Sequence, residues 1–131
     1  MGRSELREHI FKMIFGIEFS DTDHLDEQIG LYLGQLSGVS ERDLAYMSNK
    51  ARAIAERADE IDGIINEHTT GWKTSRMNKV DLSILRLAVY EMKWDEDVPV
   101  KVAINEAVEL GKRFSGDEGP SFINGVLGKL A

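Results

Sequence analysis

The segment from Val80 to Trp94 most restricts what this chain can fold into. Ten of its fifteen residues are apolar, and they fall on all sides of a helix instead of on one face. A helix that is apolar all round has to be covered by other elements, so the segment is predicted to be the central helix of the fold. Four charged residues interrupt it, and no stretch of the chain approaches the roughly 20 apolar residues that span a bilayer. We therefore expect a buried helix and no membrane span.

Apolar residues elsewhere in the chain also recur at helical spacings, and the chain has only two prolines. Together these features predict an all-α protein of about seven helices in two packed helical-bundle subdomains. Besides the central helix, the first two helices are predicted at about 3–19 and about 24–37. A third is predicted from about 40, with a break near 57–59 after which a short fourth helix starts. The last two are predicted to begin at Pro99 and Pro120.

Polar residues mark the predicted helix ends. Ser40 with Asp43 has the form of a capping box, Asn78 with Asp81 can open the central helix, and the polar run 20–23 can end the first helix and cap the second. The Thr-Thr-Gly sequence at 69–71 is the best candidate for a boundary between two halves. We expect one domain over residues 1–131, with an N-terminal subdomain of about 1–70 and a C-terminal subdomain of about 72–131.

The net charge of -7 argues by itself against nucleic-acid binding, because affinity for phosphate comes mainly from lysine and arginine. Its distribution is uneven. Residues 20–71 carry eleven acidic and four basic residues, residues 1–19 are balanced, and residues 72–95 carry five basic and three acidic residues. An anion-binding surface is therefore expected on the first helix and in the region from Trp72 onward, while the acidic middle would face water or a basic partner.

No pattern in the chain indicates an enzyme. There is no cysteine, which excludes disulfides and thiolate chemistry and fits a reducing cytosol. His9, His24 and His68 have no metal-ligand spacing, and no phosphate-binding loop or serine-nucleophile motif is present. Glu106 and Glu109 are interpreted as residues on the solvent-exposed face of an amphipathic helix, where basic residues of the following turn can pair with them. We expect a cytoplasmic protein with no catalytic site, metal or cofactor.

The basic residues of the first helix have two interpretations. Arg3 and Arg7 lie one helical turn apart, and Lys12 lies on an adjacent face. Such a helix can set two guanidinium groups along a phosphate backbone, with Phe11 or Phe15 nearby for base stacking. Alternatively, these charges pair with glutamates of the same helix and keep it soluble. The residues alone leave both interpretations open.

Four segments resemble the NusB family. Residues 80–91, VDLSILRLAVYE, are similar to the core motif of that family, and residues 98–110, VPVKVAINEAVEL, to its signature, which FINGVL at 122–127 follows at a familiar interval. The opening RSELRE at 3–8 is similar to the family's arginine-bearing first helix. The resemblance spans essentially the whole chain.

This resemblance implies a seven-helix fold and a function in transcription antitermination without catalysis. Family members bind the boxA element of ribosomal RNA leader transcripts together with a small-subunit ribosomal protein, Nus factor E, and help RNA polymerase read through terminators. Compared with the family, this chain has few N-terminal arginines and has Ser121 where many members have lysine. Because both differences remove phosphate contacts, the free protein is expected to bind RNA weakly and the pair to be the competent binder.

The resemblance also implies roles for individual residues. Asp81 falls at the position of the family's partner-facing acid, with Glu91 as a weaker candidate. The signature residues 103–110 are expected to pack the sixth helix against the fifth. Lys12 is included among the expected RNA-binding residues because it lies on the first helix, on a face adjacent to Arg3 and Arg7. That set is Arg3, Arg7, Lys12, Phe15, Phe114, Asp117, Glu118 and Phe122.

Two alternative functions of other classes remain open at this point. One is a stand-alone relative of the RNA-binding domain of ribosomal RNA cytosine methyltransferases, a function that needs a further catalytic domain. The other is a helical protein-interaction module or homodimer with no RNA role, because exposed apolar helix faces can self-associate.

Overall fold

The computed structural model describes residues 1–19 and 22–131. Among them are seven α-helices and two single turns of 3-10 helix, at Thr22–His24 and Thr74–Arg76, and no strand. The all-α prediction is therefore confirmed, whereas the predicted cap in the 20–23 segment falls largely outside the described residues. The helices are α1 (Arg3–Glu18), α2 (Leu25–Gly34), α3 (Glu41–Glu56), α4 (Ala58–His68), α5 (Lys79–Trp94), α6 (Val100–Phe114) and α7 (Gly119–Leu130).

Helix starts follow the predicted capping chemistry. The Ser40 hydroxyl accepts a hydrogen bond from the backbone N–H of Asp43 at 3.1 Å, and the Asn78 side chain accepts one from the N–H of Asp81 at 2.8 Å. Each bond satisfies a backbone donor that the first turn of a helix leaves without a partner. The predicted break in the third helix is present as a turn at Arg57 between α3 and α4.

Packing divides the helices into two compact units, Met1–Glu56 and Arg57–Ala131. The division lies earlier than the boundary expected near Gly71, because α4 packs on α5 and α7. A two-pronged ion pair ties α4 to α5, with Nε and Nη2 of Arg86 at 2.8 and 2.7 Å from the two carboxylate oxygens of Asp62. Bidentate arginine–carboxylate pairs combine charge with fixed geometry, so this contact sets the orientation of α4 in the second unit.

In the first unit, α1 packs against α2 and α3, and α2 packs against α3. Its core is made of apolar side chains that α1 and α3 bury completely, such as Ile10, Met47, Ala51 and Ile54. These residues follow the spacing of three and four that places one stripe on each helix. The N-terminal ammonium group reaches Asp43 at 3.2 Å, which ties the start of the chain to α3.

In the second unit, α5 is the central helix, as its all-round apolar sequence predicts. Every residue from 81 to 89 is buried, and α4, α6 and α7 all pack on α5. The signature helix α6 buries Ala103, Ala107 and Leu110, which agrees with the expected packing role of that segment. None of the described helices combines the length and the apolar composition needed to cross a membrane.

Candidate nucleic-acid interface

The loop between α4 and α5 is fastened to the end of α4. The Thr69 hydroxyl lies 2.9 Å from a carbonyl oxygen of the last turn of α4 and 2.9 Å from that of Trp72, and it shares its proton between them. The Asn66 side-chain amide bonds both the backbone N–H and the hydroxyl of Thr74, at 2.9 and 3.3 Å. Gly71 has a φ of +80°, which side chains disfavour, so the turn requires glycine there. Trp72 is 59% exposed on a loop with a defined backbone.

The loop between α6 and α7 is fastened to the start of α5. One carboxylate oxygen of Asp81 accepts a hydrogen bond from the Ser115 hydroxyl, and the other accepts one from the Asn78 amide at 2.9 Å. Gly119 fits closely beside this group, because a Cβ atom there would collide with the side chain of Ser115. These contacts fix the segment 115–119 against the first turn of α5.

A cleft of about 690 Å³ lies between these two fastened loops. Trp72 and Phe122 form an aromatic pair in its lining, with ring centroids 5.3 Å apart and planes at 61°. Edge-to-face pairs of this kind are favourable, and exposed rings provide surfaces on which an unpaired base can stack. The cleft therefore has an aromatic wall whose larger ring remains open to solvent.

Charged groups of both signs line the same cleft. Arg76, Asp117 and Glu118 are all exposed, and no side chain of the three has a hydrogen bond or ion pair with the residues that the structure describes. An exposed guanidinium can contact a phosphate, and a carboxylate accepts N–H donors. The cleft thus presents groups suited to a phosphate, to the face of a base and to N–H donors.

The structure brings several predicted residues of the second unit together here. Asp117, Glu118 and Phe122 line the cleft, as does Asp81, which is 6% exposed and already accepts two side-chain hydrogen bonds. Phe114 is half-buried, and the guanidinium of the preceding arginine lies 5.0 Å from its ring. Their functional roles remain predictions.

Glu91, the weaker candidate for a partner contact, is 1% exposed. A carboxylate in that position contacts a partner only if the side chains that cover it move away. The structure therefore gives no support to a direct partner contact by Glu91.

The predicted residues of the first unit differ in exposure. Arg3 is exposed, whereas Arg7 is 5% exposed, so a phosphate contact by Arg7 requires its neighbours to move. The Lys12 ammonium is exposed but forms an ion pair with Glu8 at 2.9 Å. Phe15 is half-buried, with its ring 5.0 Å from that of Phe19. Of the two guanidinium groups expected to contact phosphate from α1, only that of Arg3 is exposed. The RNA-binding roles of these four residues stay predictions.

Sequence reasoning did not single out Trp72 or Arg76 as site residues. The positive charge balance of residues 72–95 pointed to this region and nothing pointed to the individual side chains. An aromatic residue next to a turn is compatible with a core role or a surface role, so its exposure could not be deduced from the sequence.

The comparisons with known proteins agree with this fold. The NusB family model matches residues 4–131. Transcription antitermination protein NusB of Agathobacter rectalis is 50% identical over 131 residues, which is 100% of both chains. The protein of the same name from Lachnoclostridium phytofermentans is 45% identical over 130 residues, covering 99% of this chain and 98% of its own.

Solved structures show the same arrangement of helices. T. maritima NusB has a TM-score of 0.89 and 29% identity, covering 100% of this chain and 91% of its own. The crystal structure of antitermination factors NusB and NusE in complex with dsRNA has a TM-score of 0.83 and 20% identity, with coverage of 96% and 92%, and supports the fold alone. The fold thus defines an all-helical protein of two small units. The chain belongs to the NusB family, as its sequence motifs predict.

Proposed function

We propose that this protein is a transcription antitermination factor that binds boxA RNA of ribosomal RNA leader transcripts together with Nus factor E. The observation that carries the proposal is the 50% identity, over the full length of both chains, with a relative named for this function. The names of its relatives favour this function over a role as one domain of a ribosomal RNA methyltransferase.

The cleft of the second unit supplies a surface suited to RNA. Trp72 and Phe122 offer rings for stacking, and Arg76 offers a cation without an ion-pair partner among the described residues. Stacking on aromatic side chains is a common way for proteins to hold unpaired bases. Arg3 on α1 is an exposed cation of the first unit that can contact phosphate.

The charge of the chain favours RNA binding with a partner. The net charge is -7, and the acidic residues 20–71 would repel a polyanion. A basic ribosomal protein that docks on this chain would supply positive charge beside the RNA. A protein of the same fold, NusB, has been crystallised with NusE and dsRNA.

In this proposal the chain works in the cytoplasm as part of an antitermination complex with RNA polymerase, and it catalyses no chemical step. Its role is to bind RNA and Nus factor E at the same time. The names of its relatives support this role, because they describe transcription antitermination and no enzymatic reaction.

A filter-binding titration tests the proposal. BoxA RNA and a scrambled RNA of the same composition are titrated with the chain alone and with the chain plus Nus factor E, at one salt concentration. We expect a preference for boxA and a tighter complex when both proteins are present. Equal binding of boxA and scrambled RNA by the pair would overturn the proposed function. Equal boxA affinity with and without Nus factor E would overturn the partner's role.

A further inference from the structure

A groove lies between α1 and α2 in the first unit, and its volume is about 290 Å³. The buried side chains of Met13 and Ile29 and the half-buried Ile17 line it, together with Gly16 and Leu31. Its volume is just below the roughly 300–1,000 Å³ that is usual for sites of whole small molecules. The groove is therefore better suited to a side chain of a larger partner than to a free small ligand.

The packing of the described residues does not account for two residues of this groove. Leu31 is a large apolar side chain that is 65% exposed. Gly16 lies within α1, where glycine is unfavourable, and a Cβ atom there would meet no atom within 4 Å. Its missing side chain leaves the groove open. An open groove with an exposed apolar side chain at its edge is expected where a second molecule packs against the surface.

The surroundings of the groove are negatively charged. The first unit has ten acidic and six basic residues. Glu27, in the first turn of α2, has a side chain that is 69% exposed, with one oxygen 3.2 Å from Nδ1 of His24. Burial, and then the negative charge of Glu8, raise the pKa of the Tyr32 hydroxyl in the lining, and Lys12 beside it is ion-paired with Glu8. This surface therefore attracts a positively charged partner.

We propose that the groove between α1 and α2 binds a segment of a basic protein partner. An aliphatic or aromatic side chain of the segment enters the groove beside Gly16 and packs on Leu31, and a neighbouring lysine or arginine pairs with Glu27. Apolar anchors in a hydrophobic groove are a recurring mode of peptide recognition. The inference goes beyond the proposed function, because it adds a partner other than Nus factor E, whose predicted contact Asp81 lies in the second unit.

The groove lies away from the arginine-bearing face of α1. Gly16 follows Arg7 by nine residues, which is about two and a half helical turns, so the two residues lie on opposite sides of the helix. Arg3 lies one turn before Arg7 and is exposed. A partner in the groove therefore leaves Arg3 accessible to RNA, and the chain can bind both at once.

Two other occupants fit the groove less well. A second copy of the chain would bring a further net charge of -7 to the contact and place acidic surfaces against each other. RNA would bring phosphates, which the same carboxylates repel. Both occupants are separate outcomes of the test.

The test begins with random dodecapeptides displayed on phage and selected for binding to the full chain. Peptides that also bind the variant Gly16→Leu are removed, because leucine at this position fills the groove and favours helix. Peptides that bind the control Gly128→Leu are kept. Gly128 is an exposed glycine of α7, and a Cβ atom there also meets no atom within 4 Å. We expect the retained peptides to have a net positive charge and an aliphatic or aromatic residue.

Independent variants then test the contacts with one retained peptide, titrated by fluorescence anisotropy. Leu31→Ala should weaken binding by at least about 10-fold, the usual effect of removing one buried aliphatic side chain. Glu27→Gln should weaken it by about 2- to 5-fold, as expected for an exposed ion pair. The control Glu67→Gln changes the net charge equally at an exposed acid of α4 and should leave the affinity unchanged.

The outcomes distinguish this inference from its alternatives and from the proposed function. A selection that retains no peptide, or only acidic or purely polar ones, would overturn the inference, and so would full affinity in Leu31→Ala. Sedimentation that shows a dimer dissociated by Gly16→Leu would assign the groove to a second copy. Loss of boxA RNA or Nus factor E binding in a folded Gly16→Leu chain would assign the groove to that ligand. Either assignment would also overturn the inference. Failure of the unaltered pair to prefer boxA would overturn the proposed function alone.

Discussion

Asp81, in the first turn of α5, accepts a hydrogen bond from the hydroxyl of Ser115, which lies 34 residues later in the chain. The contact joins the start of the central helix to the loop that precedes α7. Gly119 completes the arrangement, because its missing side chain leaves the space that Ser115 occupies. One wall of the cleft is therefore held in place by the carboxylate of Asp81, the hydroxyl of Ser115 and the absence of a side chain at Gly119.

Substitution of Gly119 should show how strongly this wall depends on close packing. We expect Gly119→Ala to lower the free energy of unfolding by about 1–3 kcal/mol, because the new methyl group overlaps Ser115. The measurement is urea denaturation, with RNA binding of the folded variant as a second readout.

Gly125 in α7 provides the matched control for this prediction. A Cβ atom there meets no atom within 4 Å, so Gly125→Ala should raise the free energy of unfolding by about 0.5–1 kcal/mol through helix propensity. A rise in the free energy of unfolding at both glycines would show that backbone freedom, and not contact with Ser115, decides the result at Gly119.

Removal of the exposed ring of Trp72 tests the stacking surface. We expect Trp72→Ala to weaken binding of single-stranded RNA by roughly 5- to 150-fold, the usual cost of one lost base–aromatic stack. Trp72→Phe keeps a ring and should retain most of the affinity. The control Leu31→Ala removes another exposed apolar side chain, which is 65% exposed in the first unit, and should have no effect. Equal losses for Trp72→Ala and Leu31→Ala in anisotropy titrations would contradict a specific role for this ring.

The helices of this fold could be predicted because their signals are local. The all-round apolar sequence of α5 predicts a central helix, and the structure buries every residue from 81 to 89. The capping pairs at Ser40 and Asn78 mark their helix starts correctly. The predicted end of α2, at about residue 37, was wrong by three residues: the helix ends at Gly34. Glycine disfavours helix, so the earlier end follows from the same local physics.

Long-range contacts explain what sequence patterns did not predict. The division after Glu56 depends on α4 packing against α5 and α7, and the ion pair between Asp62 and Arg86 spans 24 residues. Arg7 lies one helical turn after Arg3, which predicted two exposed basic residues on one face, yet other residues of the folded chain cover Arg7. Spacing along one helix defines its faces, but only tertiary packing determines which face is covered.

Tyr32 should make stability depend on pH at the alkaline end. Burial, and then the negative charge of Glu8, raise the pKa of Tyr32 above its usual 10.0. The unfolded chain therefore loses this proton at a lower pH than the folded protein does. The stabilisation that Tyr32 contributes is fully present below about pH 10 and declines as the pH rises above that value.

The variant Tyr32→Phe isolates this contribution. It also removes the hydrogen bond between the Tyr32 hydroxyl and Nδ1 of His9, which are 2.7 Å apart, at a cost of about 1 kcal/mol at pH 7. In urea denaturation, the difference in unfolding free energy between the natural chain and the variant should be constant from pH 7 to 9 and shrink above pH 10. A difference that grows above pH 10 would contradict the direction of the pKa shift.

Substitutions of Arg3 and Arg7 should have different effects on RNA binding and on stability. Arg3 is exposed, so we expect Arg3→Ala to change the free energy of unfolding by no more than about 0.5 kcal/mol. Loss of one phosphate contact should weaken RNA binding and reduce the salt dependence of log K by about 0.7 for single-stranded RNA. Arg7 is 5% exposed, so Arg7→Ala should lower the free energy of unfolding by about 1–3 kcal/mol.

The control for Arg3 is Arg42→Ala, an exposed arginine at the start of α3 that changes the net charge equally. If binding depended only on overall charge, both variants would reduce the salt dependence by the same amount. A direct contact at Arg3 requires a reduction for Arg3→Ala and none for Arg42→Ala, measured as boxA affinity at several salt concentrations with Nus factor E present. Because Arg7 is covered, any loss of RNA binding in Arg7→Ala should be accompanied by a lower urea midpoint, whereas loss at an unchanged midpoint would show that Arg7 reaches the RNA.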